Sequence, residues 1–207
     1  MNGKLPIVGS LLCALLLLAG ICGCTTVDQT VSLNYAPLER AFGQQSGEFI
    51  VSRVDSRPFA RNARGEWIIG SLNNVHGVHQ ADLLADRNQG EWISEALLLE
   101  LKHSGYTVTR KSPLPPDTAR GIEIRDLNAS LNVNQDLFTS SAKQELKFNV
   151  DLYLNGTKIK TFAVVSRASH TLPLKASAEE NARIMLQSMQ DAMQQVMAEV
   201  SALFDRK

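Results

Sequence analysis

Apolar residues along this chain fall into three spacings: an unbroken N-terminal run, several alternating stretches, and two stretches of helical period. Leu5 to Leu18 is largely apolar. The short run Phe49-Ile50-Val51-Ser52-Arg53-Val54, between Gly47 and Ser56-Arg57-Pro58, predicts a buried strand. Asp55 to Asn88 has little period and contains Gly65, Gly70 and Gly77, so it reads as a long loop with a short edge strand at Trp67-Ile68-Ile69. Glu91 to Ser104 carries Ile93, Ala96, Leu97 and Leu101 on one stripe, with Gly105 as its stop, and predicts a helix. Tyr106 to Thr109 reads as a strand, and Pro113, Pro115 and Pro116 mark a loop after it.

The second half predicts sheet and then helix. Ile122 to Val133 is apolar at Ile122 and Ile124, then at Leu127, Ala129, Leu131 and Val133, so its phase changes near Arg125-Asp126, the signature of a bulge. Lys143 to Leu154 alternates, with Leu146, Phe148, Val150, Leu152 and Leu154 expected inward and Lys147, Asn149 and Asp151 outward. Asn155-Gly156 is a type I′ hairpin signal, and the return strand is expected from Lys158 to Arg167. Ala178 to Phe204 predicts a long helix, with Ser177 and Glu180 at capping-box spacing. The expected fold is α+β: an antiparallel or mixed sheet with two main helices packed on one face. It forms a single domain over 48–207, preceded by a polar tether over 24–47 in which Val31, Leu33 and Tyr35 alternate and suit a short strand.

The N-terminal run changes what the chain can be. Lys4 precedes it, and it ends in Ile21-Cys22-Gly23-Cys24. This is the layout of a secretory signal, here 1–23. The ending resembles the bacterial lipoprotein lipobox, in which an aliphatic and a small residue precede a lipidated cysteine. Cys24, with Gly23 before it, fits the acceptor better than Cys22, which has bulky Ile21 before it. Thr25 stands where such lipoproteins carry Asp when retained at the inner membrane, so the resemblance implies the outer membrane, facing the periplasm. An uncleaved span is the alternative, since Leu5 to Cys24 is just long enough. All three cysteines, Cys13, Cys22 and Cys24, lie in or at the end of this segment, so the processed domain has no disulfide, thiol nucleophile or cysteine-ligated zinc.

Charge is balanced, with 21 basic and 21 acidic residues and no Lys/Arg block, so the footprint of a nucleic-acid binder is missing. His76 and His79, near Asp82 and Asp86, lack a standard metal spacing, and a polar loop is the simpler reading; no metal and no cofactor is expected. No nucleophile elbow, phosphate loop or dinucleotide fingerprint occurs, so no catalytic residue is named. Asp55 and Arg57 follow a strand and share a face; a structural role, pairing with each other or fixing the loop, is favoured over contact with a ligand or partner. Met185, Met189, Met193 and Met197 recur every fourth residue, spread over an arc of about 120°. Core packing is favoured for them, with Met197 nearest the rim and therefore the one placed to meet a partner.

The order of Val54-Asp55-Ser56-Arg57, a helix ending at Gly105-Tyr106-Thr107-Val108, a sheet with the Asn155-Gly156 hairpin and a C-terminal helix resembles the YajG family of bacterial lipoproteins. That resemblance implies an outer-membrane lipoprotein without an established enzymatic activity. The layout is also similar to auxiliary lipoproteins of envelope ABC transporters, of the PqiC type. The expected function is binding of an envelope protein or cell-wall partner, anchored by lipid at Cys24, without catalysis; the alternative is an auxiliary subunit of a lipid or solute transport system.

Overall fold

The computed structural model describes residues 27–39, 46–54, 59–173 and 176–204. Its strands are β1 (Gln29–Val31), β2 (Glu48–Val51), β3 (Trp67–Asn74), β4 (His79–Ala85), β5 (Thr107–Arg110), β6 (Arg120–Gln135), β7 (Thr139–Leu154) and β8 (Thr157–Pro173). Two helices are described, α1 (Gln89–His103) and α2 (Ala178–Phe204). The strands form one curled mixed sheet, and the fold is α+β as expected.

The long antiparallel meander β6–β7–β8 is the spine of this sheet. The free side of β6 is shared. Its first residues pair in parallel with β2, whose other side pairs with β5. Its last residues, Leu131 to Gln135, pair in parallel with β3, which continues to β4 and β1. Between the two lies the bulge. The β6–β7 register shifts between Arg125 and Asn128, and Asp126 sits at φ 54°. Before the bulge Ile122 and Ile124 face inward; after it Leu127, Leu131 and Val133 do. The phase change therefore marks where β6 exchanges one neighbour for another, and the added bend lets the two flanking strand groups diverge.

Local signals set the helix ends. The side chain of Asn88 accepts from the Gly90 N–H at 2.7 Å and the Glu91 N–H at 3.2 Å, so α1 starts two residues before the predicted Glu91. At its other end Gly105 takes φ 96°, with Tyr106 N–H on Leu101 C=O and Gly105 N–H on Lys102 C=O, a paired cap. At the start of α2 the Ser177 N–H donates to Glu180 Oε2 and the Glu180 N–H to Ser177 Oγ, the reciprocal box that the spacing predicts.

The core lies between the inner sheet face and the two helices. Leu146, Phe148, Val150 and Leu152 of β7 meet α2, and Phe49 stacks edge-on against Tyr106 and Phe204. Four expectations need correction. The segment 55–88 is not one long loop: β3 and β4 form a hairpin in it, and Trp67 to Ile69 lie in an interior strand. Gly70 hides that strand from a pattern search; a Cβ there would lie 1.7 Å from the Leu131 carbonyl oxygen, so close pairing with β6 excludes a side chain. The folded unit begins before residue 48, since β1 pairs with β4 and Val31 and Leu33 are buried. In β7, Leu154 is 40% exposed at the strand end, and Asp151 is buried although it faces outward.

Met197 is the fourth correction. It is 1% exposed and belongs to the core with Met185, Met189 and Met193. The buried positions of α2 run 181, 184, 185, 188, 189, 192, 193, 196, 197 and 200. This four-residue repeat on a 3.6-residue helix drifts by about 40° per repeat, so the buried stripe slants around the helix. A straight stripe centred on Met189 puts Met197 at the rim. The twisted sheet and α1, both packed on α2, follow the slanted one.

Candidate functional site

The outward face of β6–β7–β8 is polar, and its most developed part surrounds the bulge. Glu123, Arg125, Asp151 and Thr161 come from outward positions of three neighbouring strands, because Glu123 pairs with Asp151 and Asp151 with Thr161 in register. Tyr153 follows two residues along β7 and therefore shares their face. Asp151 is the centre. Its carboxylate accepts from Arg125 Nη2 at 2.7 Å and from Thr161 Oγ1 at 2.5 Å, with Lys158 Nζ at 3.4 Å. Tyr153 donates its hydroxyl to Glu123 at 3.0 Å, and Asn149 donates to Asp126 at 2.8 Å.

Burial acts to raise the Asp151 pKa. The Thr161 hydrogen bond and the charges of Arg125 and Lys158 outweigh it and hold the group below the usual carboxylate range. Burial and the Glu123 carboxylate raise the Tyr153 phenol, which stays a hydrogen-bond donor. Arg125 and Lys158 remain nearly half exposed, so two guanidinium or ammonium edges stay open to a partner while Asp151 fixes their bases.

A cleft of about 450 Å³ opens beside this cluster, lined by Arg53, Val54 and the bulge residues Glu123 to Leu127. Arg53 pairs with Glu91 at 3.0 Å, which ties the chain after β2 to the first turn of α1. A second cleft of about 360 Å³ lies farther along the same face, with Asn132, Lys143, Glu145 and Arg167 in its lining; there Arg167 donates to Glu145 at 2.8 Å. The surface is one of organised charge and hydrogen-bonding groups, suited to recognition of a polar surface.

The folded-state pKa of Asp151 is depressed, so its ionised form stabilises the fold above about pH 4, and that contribution disappears as the pH falls through the folded value. Asp151→Asn is expected to lower stability at about pH 7 by about 1–3 kcal/mol, and that difference is expected to be smaller at about pH 3. Urea midpoints of the two proteins at both pH values check this.

Cys24, Asp55 and Arg57 lie outside the described residues. Met197 is inside the core and offers nothing to a partner in this fold. His79 pairs with Asp82 at 3.4 Å on the surface, and among the described residues no cluster of His, Cys, Asp or Glu could hold a metal. The Arg125–Asp151–Lys158 cluster escaped the sequence reading because alternation marked Asp151 only as an outward residue. The bulge at Arg125-Asp126 was its one visible sign.

No family model matches the chain, and no curated protein matches it. Solved structures with a similar layout include a Xanthomonas campestris protein of the DUF330 family, at 14% identity and TM-score 0.43, covering 84% of this chain and 91% of that one. A neuraminyllactose-binding hemagglutinin homolog from Helicobacter pylori matches at 12% identity and TM-score 0.46, covering 83% and 92%. A minor lipoprotein from Acinetobacter baumannii matches at 13% identity and TM-score 0.41, covering 64% and 91%. At these values nothing about activity passes from those proteins to this chain.

Proposed function

We propose that this protein is a lipid-anchored envelope lipoprotein, held at the outer membrane through Cys24 and facing the periplasm, that works by binding a protein or cell-wall partner rather than by catalysis. One observation carries the reading: the Ile21-Cys22-Gly23-Cys24 pattern closes an apolar run, and β1 begins at Gln29, so the lipidation position leads into the sheet within a few residues. The charged outward face of β6–β7–β8 supports the binding part, with Arg125, Lys158 and Arg167 exposed and oriented by Asp151 and Glu145. The resemblance to the YajG family supports the same reading.

Cys24→Ala is expected to abolish incorporation of labelled palmitate and to leave an uncleaved or mislocalised precursor. Two acyl chains or more give stable attachment, so the wild type should remain with the outer-membrane fraction. Equal palmitate labelling of variant and wild type would reject the anchor. For the binding part, a photocrosslinker at Lys143 in intact cells should give a discrete adduct that Arg125→Glu and Arg167→Glu weaken. An adduct indifferent to both reversals would count against this face.

A further inference from the structure

Among the described residues the most exposed apolar side chains gather in one place. The five most exposed large hydrophobic side chains of these residues are Leu137 at 84%, Phe138 at 78%, Val27 at 72%, Val75 at 59% and Val78 at 56%. All of them lie at one end of the sheet. Leu137 and Phe138 form the turn between β6 and β7, and Val75 and Val78 the turn between β3 and β4. Since β3 and β6 are parallel neighbours, with Asn74 opposite Gln135, the two turns stand side by side, about 5 Å apart strand to strand.

The turn chemistry sets these residues apart. Where β7 turns into β8 at the other end, the chain uses Asn155-Gly156 at φ 50° and 75°, residues suited to a tight hairpin. Leu137-Phe138 has no such fitness for a turn. Asp136 has to support it instead, accepting from the Leu137 N–H at 2.7 Å, while the Asp136 N–H donates to the Thr139 carbonyl at 2.8 Å. Large apolar side chains in a solvent-facing turn cost solubility and contribute nothing to the core unless something covers them. The strand residues behind the tips are uncharged: Asn73, Asn74, Asn134 and Gln135. One carboxylate, Asp136, and the imidazoles of His76 and His79 stand beside them, so the apolar tips rise from a polar collar, as at the boundary between acyl chains and headgroups.

The N-terminal end of the described chain lies on the same side. β1 is parallel to β4, with Gln29 opposite Leu83, and the Asp82 N–H donates to Asp28 Oδ1 at 3.0 Å. Val27 therefore stands near Ala81, three positions along β4 from Val78, or about 10 Å. Cys24 is three residues before Val27, a reach of at most about 10 Å. The chain is long enough to put an acylated Cys24 level with the hairpin tips.

We propose that the paired tips of the β3–β4 and β6–β7 hairpins, through Val75, Val78, Leu137 and Phe138, insert into the lipid surface to which Cys24 is anchored and stand the sheet upright on it. This rests on lipidation at Cys24. The Asn155-Gly156 turn then points away from the membrane, since the 16 residues of β7 separate the two ends by about 50 Å.

With lipidation at Cys24 the processed chain keeps a single cysteine, whose sulfur is held in a thioether to the lipid, so an added cysteine is a unique labelling site. Mature acylated protein carrying Phe138→Cys or Leu154→Cys, labelled with an environment-sensitive fluorophore, is reconstituted into phosphatidylethanolamine–phosphatidylglycerol vesicles containing spin-labelled lipid. The probe at position 138 should shift to the blue and be quenched by the lipid; the probe at 154 should do neither. With the probe at Val78→Cys instead, Leu137→Asp together with Phe138→Asp should remove the quenching while the protein still floats with the vesicles. Flotation with no quenching at 138 overturns tip insertion and leaves the anchor intact, whereas failure of the wild type to float overturns the anchor itself. Equal quenching at 138 and 154 overturns the upright orientation. A blue shift at 138 that grows with protein concentration without vesicles, and is unmoved by them, assigns the tips to a second copy of this chain and overturns the proposal.

Discussion

Truncating Met193 to alanine is expected to cost about 2–5 kcal/mol of unfolding free energy, and Met197→Ala nearly as much. Both side chains are buried on α2, between the inner sheet face and α1. Neither has water on any side to refill the space, so the loss includes both the transfer of the thioether chain and the cavity left behind. Methionine is flexible, and its neighbours can close in part of the gap, which sets the lower bound. Met185 and Met189 should fall in the same range. Urea denaturation of the four single variants gives the measurement. A Met197→Ala midpoint equal to wild type would return that residue to the rim and reopen the helix as a partner surface. On the slanted stripe, Leu203 near the C-terminal end is the more exposed position, and Leu203→Ala should cost clearly less than Met193→Ala.

Gly156→Val is expected to be about as damaging, at about 3 kcal/mol or more, for a reason unrelated to the core. Gly156 sits at φ 75°, where a β-branched residue is strained. A Cβ there would also lie 1.9 Å from the Pro116 carbonyl oxygen. The loop before β6 is fastened to this turn, with Asn155 N–H on the Ala119 carbonyl at 2.9 Å and Gly156 N–H on the Thr118 carbonyl at 2.8 Å. The side chain can fit only by lifting that loop and breaking those bonds. Gly77 provides the control: it has the same φ of 75°, but a Cβ there would meet nothing within 4 Å. Gly77→Ala should therefore cost only the backbone strain, about 1 kcal/mol. If the two variants shift the midpoint equally, the docking of the 114–119 loop is not what makes Gly156 necessary.

The elements that the sequence made legible are those whose signals are local. Asn155-Gly156 specifies its own turn through positive φ, Ser177 and Glu180 satisfy each other across one helical turn, and Gly105 ends α1 with carbonyls only a few residues back. The bulge in β6 was legible because a shift of one residue moves every following side chain to the opposite face, and the apolar pattern records that shift. The α+β class and the polar or apolar face of most of β7 follow from the same period.

The rest depended on partners distant in sequence. Nothing near Gly70 says that β6 will pass 1.7 Å from a Cβ there, so the strand around it looks like a loop. Asp151 is polar at an outward position in any local reading; only the pairing of β6, β7 and β8 brings Arg125, Lys158 and Thr161 around it and buries it. Helical spacing alone places Met197 at a margin, and the twist of the sheet against α2 decides that the margin is covered. Sequence by itself determined the anchor pattern, the Gly105 and Ser177–Glu180 caps, the turn at Asn155-Gly156 and most of the strand faces, because each rests on chemistry within a few residues. The sharing of β6 between two strand groups, the charged cluster at Asp151 and the gathering of Val75, Val78, Leu137 and Phe138 at one end were decided by the tertiary structure alone, because strand order joins residues that no local interaction connects.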